Sequence, residues 1–337
     1  MRRGRLQRDD ILIVKDGATT GKIGYVDSGL PLPAAVNEHV FRLAVDTPRV
    51  WPRYVYYHLL SPIGNHQILQ DYRGATVGGI SQDFPEKVKF PLPSITDQQR
   101  IAGQLEQADR LRRTRRYDLE LSDAFLPAAF LELFGARFHS GPSERFGELV
   151  KITGGGTPSR DRPEFFQGRI PWLTSKDMRG DYIWDTEEHI TEDAIENSAT
   201  NLVPRNSILV VVKSKVLMHR LPVAIACVPM CHGQDIKSIQ CSEGFQHEFA
   251  RFVLKHHERR LLNIARGANT EGLTLPMLEE LPVPSADYRE QEQFALLVAR
   301  HERLRAVQRE SLRQAEHLFQ SLLHRAFAPA LNRTEKL

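Results

Sequence analysis

A chain of 337 residues, 41% hydrophobic and 26% charged, is long enough for two domains and too apolar for extensive disorder. Its net charge of +3 excludes a uniformly basic nucleic-acid coat, so any contact with DNA must come from local clusters. No apolar run reaches the length of a membrane span, and Met1-Arg2-Arg3-Gly4-Arg5 has no apolar stretch behind it, which predicts a cytoplasmic protein.

In chain order, the first signal is the strand-like run Asp10-Ile11-Leu12-Ile13-Val14-Lys15, followed by a loop punctuated by Gly17, Gly21 and Gly24. Lys15, Thr19, Thr20 and Lys22 are candidate DNA contacts there, because the glycines let the backbone approach and lysine can meet a phosphate or a guanine edge. Arg73-Gly74-Ala75-Thr76 and Gly79-Ile80-Ser81 follow, and then the pair Pro91 and Pro93. Residues 97–133 read as a helix, rich in good helix formers. Steps of four and three along it give Ile101, Leu105, Ala108, Arg112, Arg115, Leu119, Ser122, Leu126, Ala129 and Leu133. That period of about 3.5 predicts a coiled-coil seam with a polar middle. The cluster Arg112, Arg113, Arg115 and Arg116 reads either as a solvated face paired to Glu106, Asp109 and Glu120, or as a surface for an acidic partner or DNA.

Beyond Phe146 the chain reads as mixed α/β, with β-branched runs at residues 207–212 and 223–228. The loop Gly154-Gly155-Gly156-Thr157-Pro158-Ser159 lacks the Gly-Lys-Ser/Thr of a P-loop and the spacing of a dinucleotide fingerprint. It predicts a turn that lets the backbone approach a partner closely, DNA phosphate among the candidates. Thr157, Ser159, Arg160, Arg162, Thr174, Ser175, Lys176 and Asp177 form a polar group of possible DNA contacts, joined by Lys213, Lys215 and Arg220. Cys227, Cys231 and Cys241 read as reduced thiols in or near strands, with only His232 close enough to suggest a metal. Asp235-Ile236-Lys237 resembles part of a nuclease centre, but no second carboxylate is placed upstream, and no methyltransferase motif or nucleophile–histidine constellation occurs. The expectation is a chain with no catalytic, cofactor-binding or metal-binding residues.

The chain also repeats itself. Residues 10–15 match residues 207–213 if one extra valine is allowed. Arg266-Gly267-Ala268-Asn269 lies at an offset of 193 from Arg73-Gly74-Ala75-Thr76, Gly272-Leu273-Thr274 answers Gly79-Ile80-Ser81, and Pro282 and Pro284 answer Pro91 and Pro93. A second helix, residues 288–328, carries Phe294, Val298, His301, Arg305, Gln308, Leu312, Ala315, Phe319, Leu322 and Ala326 at the same offset from the first seam. Each helix of roughly forty residues would span about 60 Å and needs a partner along its length. The predicted fold is α/β in the α+β sense, with two mixed domains separated by two long helices packed as an antiparallel coiled coil. The predicted segments are residues 1–94, 95–136, 144–285 and 286–330. The first copy has no counterpart of residues 146–197, so either the sequence is truncated there or another chain completes the domain.

Gly155-Gly156-Thr157-Pro158-Ser159 with Gly168-Arg169-Ile170-Pro171-Trp172-Leu173-Thr174-Ser175-Lys176-Asp177 resembles the opening of a target-recognition domain in the specificity subunit of type I restriction-modification systems. Asp10-Ile11-Leu12-Ile13, the glycines 17 to 24, and Pro93 leading into Asp97-Gln98-Gln99-Arg100-Ile101-Ala102 resemble that domain's later strand and its spacer helix. The resemblance implies that each recognition domain reads half of a split sequence in double-stranded DNA while the helices set the gap. It implies modification (methyltransferase) subunits as partners, joined by restriction (translocase/nuclease) subunits. S-adenosylmethionine and ATP/Mg then belong to those partners, and this chain takes no cofactor. Lys215 stands roughly where the first copy has Gly17, a departure that weakens transfer of that loop's role. The alternatives are a coiled-coil scaffold for protein partners, an inactive truncated subunit, or a nuclease using Asp235 and Lys237.

Overall fold

The computed structural model describes residues 4–70, 72, 79–140, 143–267 and 272–328. They fall into two compact units, Met1–Glu120 with Ala306–Leu337, and Leu121–Arg305.

In the first unit β1 (Ile11–Val14), β2 (Ile23–Tyr25) and β3 (Val40–Leu43) form an antiparallel sheet in the order β2-β1-β3. Ile11 and Ile13 are fully buried while Leu12 and Val14 are half-buried, the two-residue period of a strand packed on one face. Helices Pro52–Leu60 and Pro62–Leu69 each begin with proline, where a missing N–H goes unnoticed. Ser61 ends the first and caps the second, its hydroxyl accepting from the Gly64 N–H at 3.2 Å. Tyr54, Tyr57 and Leu59 bury against Ile11 and Ile13, together with Leu105 of a first long helix (Ile95–Phe134) and Phe319, Leu323 and Phe327 of a second (Tyr288–Phe327).

The second unit contains β4 (Ser143–Arg145), β5 (Val150–Gly154), β6 (Ile170–Leu173), β7 (Tyr182–Ile183), β8 (Glu188–Ile190), β9 (Ile208–Val211), β10 (Val223–Ala226), β11 (Cys231–His232), β12 (Ile236–Cys241) and β13 (Pro282–Pro284). A five-stranded sheet runs β5-β12-β9-β10-β7, a three-stranded one β11-β6-β8, and β13 pairs with β4. Among the described residues only β10 with β7 and β11 with β6 are parallel, so the fold is mixed in the α+β sense. β9 is buried at every position, as a central strand covered on both faces must be. Phe249, Phe252 and Val253 of helix His247–His256 and Leu261 of helix Glu258–Gly267 share its core.

The repeat is structural as well as sequential. The trio β2-β1-β3 recurs as β10-β9-β12 with the same antiparallel pairings, and each trio is followed by a pair of helices. The Ile80 N–H donates to the Lys15 carbonyl at 2.7 Å, and the Leu273 N–H donates to the Val212 carbonyl at 2.7 Å. Lys15 therefore corresponds to Val212 rather than to Lys213. In the second unit β5 and β7 flank the trio, whereas among the described residues of the first unit no strand pairs with the outer edges of β2 or β3. The Arg73 to Thr76 piece of the repeat and its match at 268–269 lie outside the described residues.

Both long helices open on matching caps. The Ser94 hydroxyl accepts from the Asp97 N–H at 3.2 Å, and at the same offset Asp287 and Glu290 accept from each other's N–H at 2.8 and 3.0 Å. The helices run antiparallel: the start of the first meets the end of the second in one unit, and the end of the first meets the start of the second in the other. Of the expected seam, Leu105, Ala108, Leu126, Phe294, Val298 and Phe319 are buried, and Ile101, Leu119, Leu312 and Leu322 are half-buried. Leu133 corrects the expectation, being 49% exposed, while Phe130 and Phe134 are buried in its stead. The seam ends in two steps of four, Leu126-Phe130-Phe134, and the second helix repeats them as Phe319-Leu323-Phe327. Straight α-helix has 3.6 residues per turn, so a strict 3.5 count drifts off the buried face over this length.

The polar middle of the helices is internally paired. Arg112 and Arg113 meet Asp109 at 2.6 and 2.7 Å, Arg116 meets Glu316 at 2.6 Å, and Arg305 pairs with Asp123 and Glu302. His301 Nε2 lies 2.9 Å from the Ser122 hydroxyl. No described helix is long and apolar enough to cross a membrane.

Candidate nucleic-acid interface

The glycine run explains how the second unit builds its polar cleft. A Cβ at Gly155 would stand 2.1 Å from the His232 carbonyl oxygen, and one at Gly156 2.5 Å from the carbonyl carbon of Ala199. The close partner of this backbone is thus the chain's own interior, not an outside ligand. The indole N–H of Trp172 donates to the Gly156 carbonyl at 3.1 Å, which fixes β6 to the end of β5.

These contacts bring three turns together: the segment after β5, the turn after β6, and the turn between β11 and β12. They enclose a cleft of about 520 Å³ lined by Thr157, Arg160, Trp172, Thr174, Ser175, Lys176, Asp177, Glu187, Glu188 and residues 233–236. Asp177 shapes one rim, accepting from the Thr174 N–H and hydroxyl at 2.8 and 2.7 Å. The Arg160 guanidinium lies over the rings of Phe166 and Trp172, 4.1 and 5.4 Å from their centroids, and makes two hydrogen bonds of 2.5 and 2.8 Å to Glu188. Those bonds hold the Glu188 carboxyl below its ordinary range. Arg160 is thereby a wall rather than a free cation. Arg162 is tied likewise, to Glu164 and Asp193 at 2.9 and 3.4 Å and over Phe165.

Of the residues named from sequence, Thr157, Arg160, Thr174, Ser175, Lys176 and Asp177 share this cleft. Ser159 and Arg162 lie exposed on the adjoining turn. Lys213 borders it through its backbone, its N–H and that of Val212 both directed at the Asp235 carbonyl. Arg220 is apart, bonded to the Met178 carbonyl at 2.8 Å beside a different cleft, and Lys215 is exposed at the start of a short 3-10 turn. In the first unit Lys15, Thr19, Thr20 and Lys22 do share the β1–β2 hairpin loop. Thr19 and Lys22 are exposed, Thr20 is bonded to the Gly17 carbonyl at 2.7 Å, and Lys15 lies 3.8 Å from Asp16, which also binds His39 at 2.6 Å.

Gln234, exposed on the turn between β11 and β12, belongs to the cleft and escapes sequence reading because nothing local marks it. Cys227 and Cys231 are buried free thiols and Cys241 is partly so, burial pushing Cys231 up to about 11 and Cys241 up to about 12. Among the described residues no three His, Cys, Asp or Glu side chains are grouped to hold a metal ion.

The sequence profile of the type I restriction modification DNA specificity domain matches residues 143–316. A type I restriction enzyme specificity subunit of Escherichia coli is 27% identical over 304 residues, which cover 87% of this chain and 73% of that protein. The crystal structure of a type I restriction-modification system S subunit from M. genitalium superposes with a TM-score of 0.64 at 14% identity, over 97% of this chain and 85% of that one. A chain from a structure titled for complex assembly and conformational transition of the type I restriction-modification system gives 0.58 at 17% identity, over 96% and 82%. The last two speak for the fold, and the profile spans more than half of the chain. The chain with two like cores and paired long helices belongs to the type I restriction-modification DNA specificity family.

Proposed function

We propose that this chain reads a bipartite sequence in double-stranded DNA, one half through each recognition domain, and docks modification subunits that methylate the site. The observation that carries the reading is the duplication: one core of three strands and two helices occurs twice, each leading into a long helix with the same cap. The cleft residues Thr157, Ser175, Lys176 and Gln234 supply hydroxyl, ammonium and amide groups of the kinds that contact phosphates and base edges. In the first domain Thr19 and Lys22 on the hairpin loop serve the same purpose, and the exposed Lys213, Lys215 and Ser159 add outer contacts.

S-adenosylmethionine chemistry and ATP-driven translocation with magnesium belong to the modification and restriction subunits, and this chain supplies address rather than catalysis. Docking needs apolar surface outside the recognition domains. Leu121, Leu131, Leu296 and Leu304, all about half exposed or more on the long helices of the second unit, are suited to it.

Mapping methylated sites in cells that carry this chain with a modification subunit tests the proposal. A split motif with a fixed gap is the expected result. Methylation without any motif would overturn it, leaving a coiled-coil scaffold or an inactive subunit.

A further inference from the structure

Each long helix carries a buried glutamine one turn inside its start, and the two glutamines share two matching contacts. Gln98 is fully buried; its Oε1 accepts from the Trp51 N–H at 2.8 Å, and its Nε2 donates to the carbonyls of Arg49 and Pro93 at 3.0 and 2.9 Å. Gln291, 193 residues later, is 5% exposed; its Oε1 accepts from the Gln246 N–H at 2.9 Å, and its Nε2 donates to the Ala286 carbonyl at 2.9 Å. Trp51 and Gln246 are the residues that cap helices Pro52–Leu60 and His247–His256, and Pro93 and Ala286 lie in the segments that enter the long helices.

One amide in each unit thus satisfies an otherwise open N–H at the start of a recognition-domain helix and a carbonyl of the linker, from a rigid point on the long helix. A leucine at that site would fill the space as well. Yet it would leave those backbone groups unpaired, whereas the amide both satisfies them and favours one direction of approach. We infer that Gln98 and Gln291 are positioning residues that set the angle between each recognition domain and its long helix, and through it the gap between half-sites.

This rests on the bipartite reading proposed above, and methylation mapping separates the two. The full chain is expressed with a modification subunit, as wild type and as Gln98→Met and Gln291→Met, which keep side-chain length and lose the hydrogen bonds. The expected result is that each variant keeps both half-site sequences but accepts gaps one base pair longer or shorter, methylating them about tenfold more than wild type does. A folded variant with unchanged gap selectivity overturns the inference, as does one that loses base preference in a half-site. If both variants fail to fold, the glutamines serve stability alone and the inference falls. If wild type itself shows no split motif, it is the bipartite reading that has failed, and the inference goes with it.

Discussion

The Arg251 guanidinium, with no exposure to solvent, lies 2.8 Å from the Glu248 carboxylate one turn before it and 2.8 Å from Asp181. Glu248 also accepts from the Tyr182 hydroxyl at 2.6 Å, and Lys255 reaches Asp181 at 2.8 Å, so β7 is bound to helix His247–His256 by a charged network. The two flanking cations hold the Asp181 carboxyl below its ordinary range despite its burial.

Removing Arg251 leaves the buried Glu248 carboxylate without a cation among the described residues, bonded only to the Tyr182 hydroxyl, and Asp181 with Lys255 alone. Arg251→Leu is expected to destabilise the second unit by about 3–5 kcal/mol. Replacing Arg251 and Glu248 together with apolar residues should recover part of the loss. Denaturant unfolding of both variants checks this, and an additive double variant would refute the coupling.

His257 supplies a pH dependence. Its Nε2 meets the Pro282 carbonyl at 2.9 Å, and burial pushes its pKa down from 6.5 to about 4. The unfolded chain takes up the proton below about pH 6.5, while the folded chain resists until about pH 4. Stability should therefore fall as the pH drops through that window, by up to about 3 kcal/mol. His257→Gln, which keeps an N–H for Pro282 but does not titrate, should flatten the slope in thermal melts taken at several pH values.

Glycines give a paired test. Gly155→Ala places a methyl against the His232 carbonyl, and the second unit should lose about 2 kcal/mol or more. Gly103→Ala meets nothing within 4 Å on the first long helix and should gain about 0.5–1 kcal/mol. Equal effects of the two substitutions in thermal melts would count against the close packing under the cleft.

The end of the first helix distinguishes two seams. Phe134→Ala should cost about 3–5 kcal/mol and Leu133→Ala less than about 0.5, because only Phe134 is buried, in contact with Phe249 and Phe294. Unfolding of each variant reads the difference directly.

DNA contacts should separate by kind. Lys176→Ala is expected to weaken binding to all sequences and to lower the salt dependence by about one phosphate contact, whereas Gln234→Ala should relax the choice of base at one position. Binding measured over a range of salt, on cognate and altered sites, tells them apart.

The long helices were legible because their apolar period is sustained and their caps are local, as at Asp287 and Glu290. The duplication was legible for the same reason, one stretch of sequence laid against another. Leu133 misled because a count by sevens ignores the drift of the helix itself. Gln98 and Gln291 were illegible because a polar residue at a helix start normally faces water, and their partners come from backbone up to 49 residues away. The glycine run gave a correct sense of close approach but not its object, since His232 and Ala199 meet it only once the sheets have formed.

The hydrophobic core of the first unit takes Phe319, Leu323 and Phe327 from the far end of the second helix. On a ribosome, β1, β2 and β3 must therefore wait for residues 319–327 to emerge before their buried face is fully covered. Loss of the helix's final turns would strike not the second unit, from which that helix sets out, but the first.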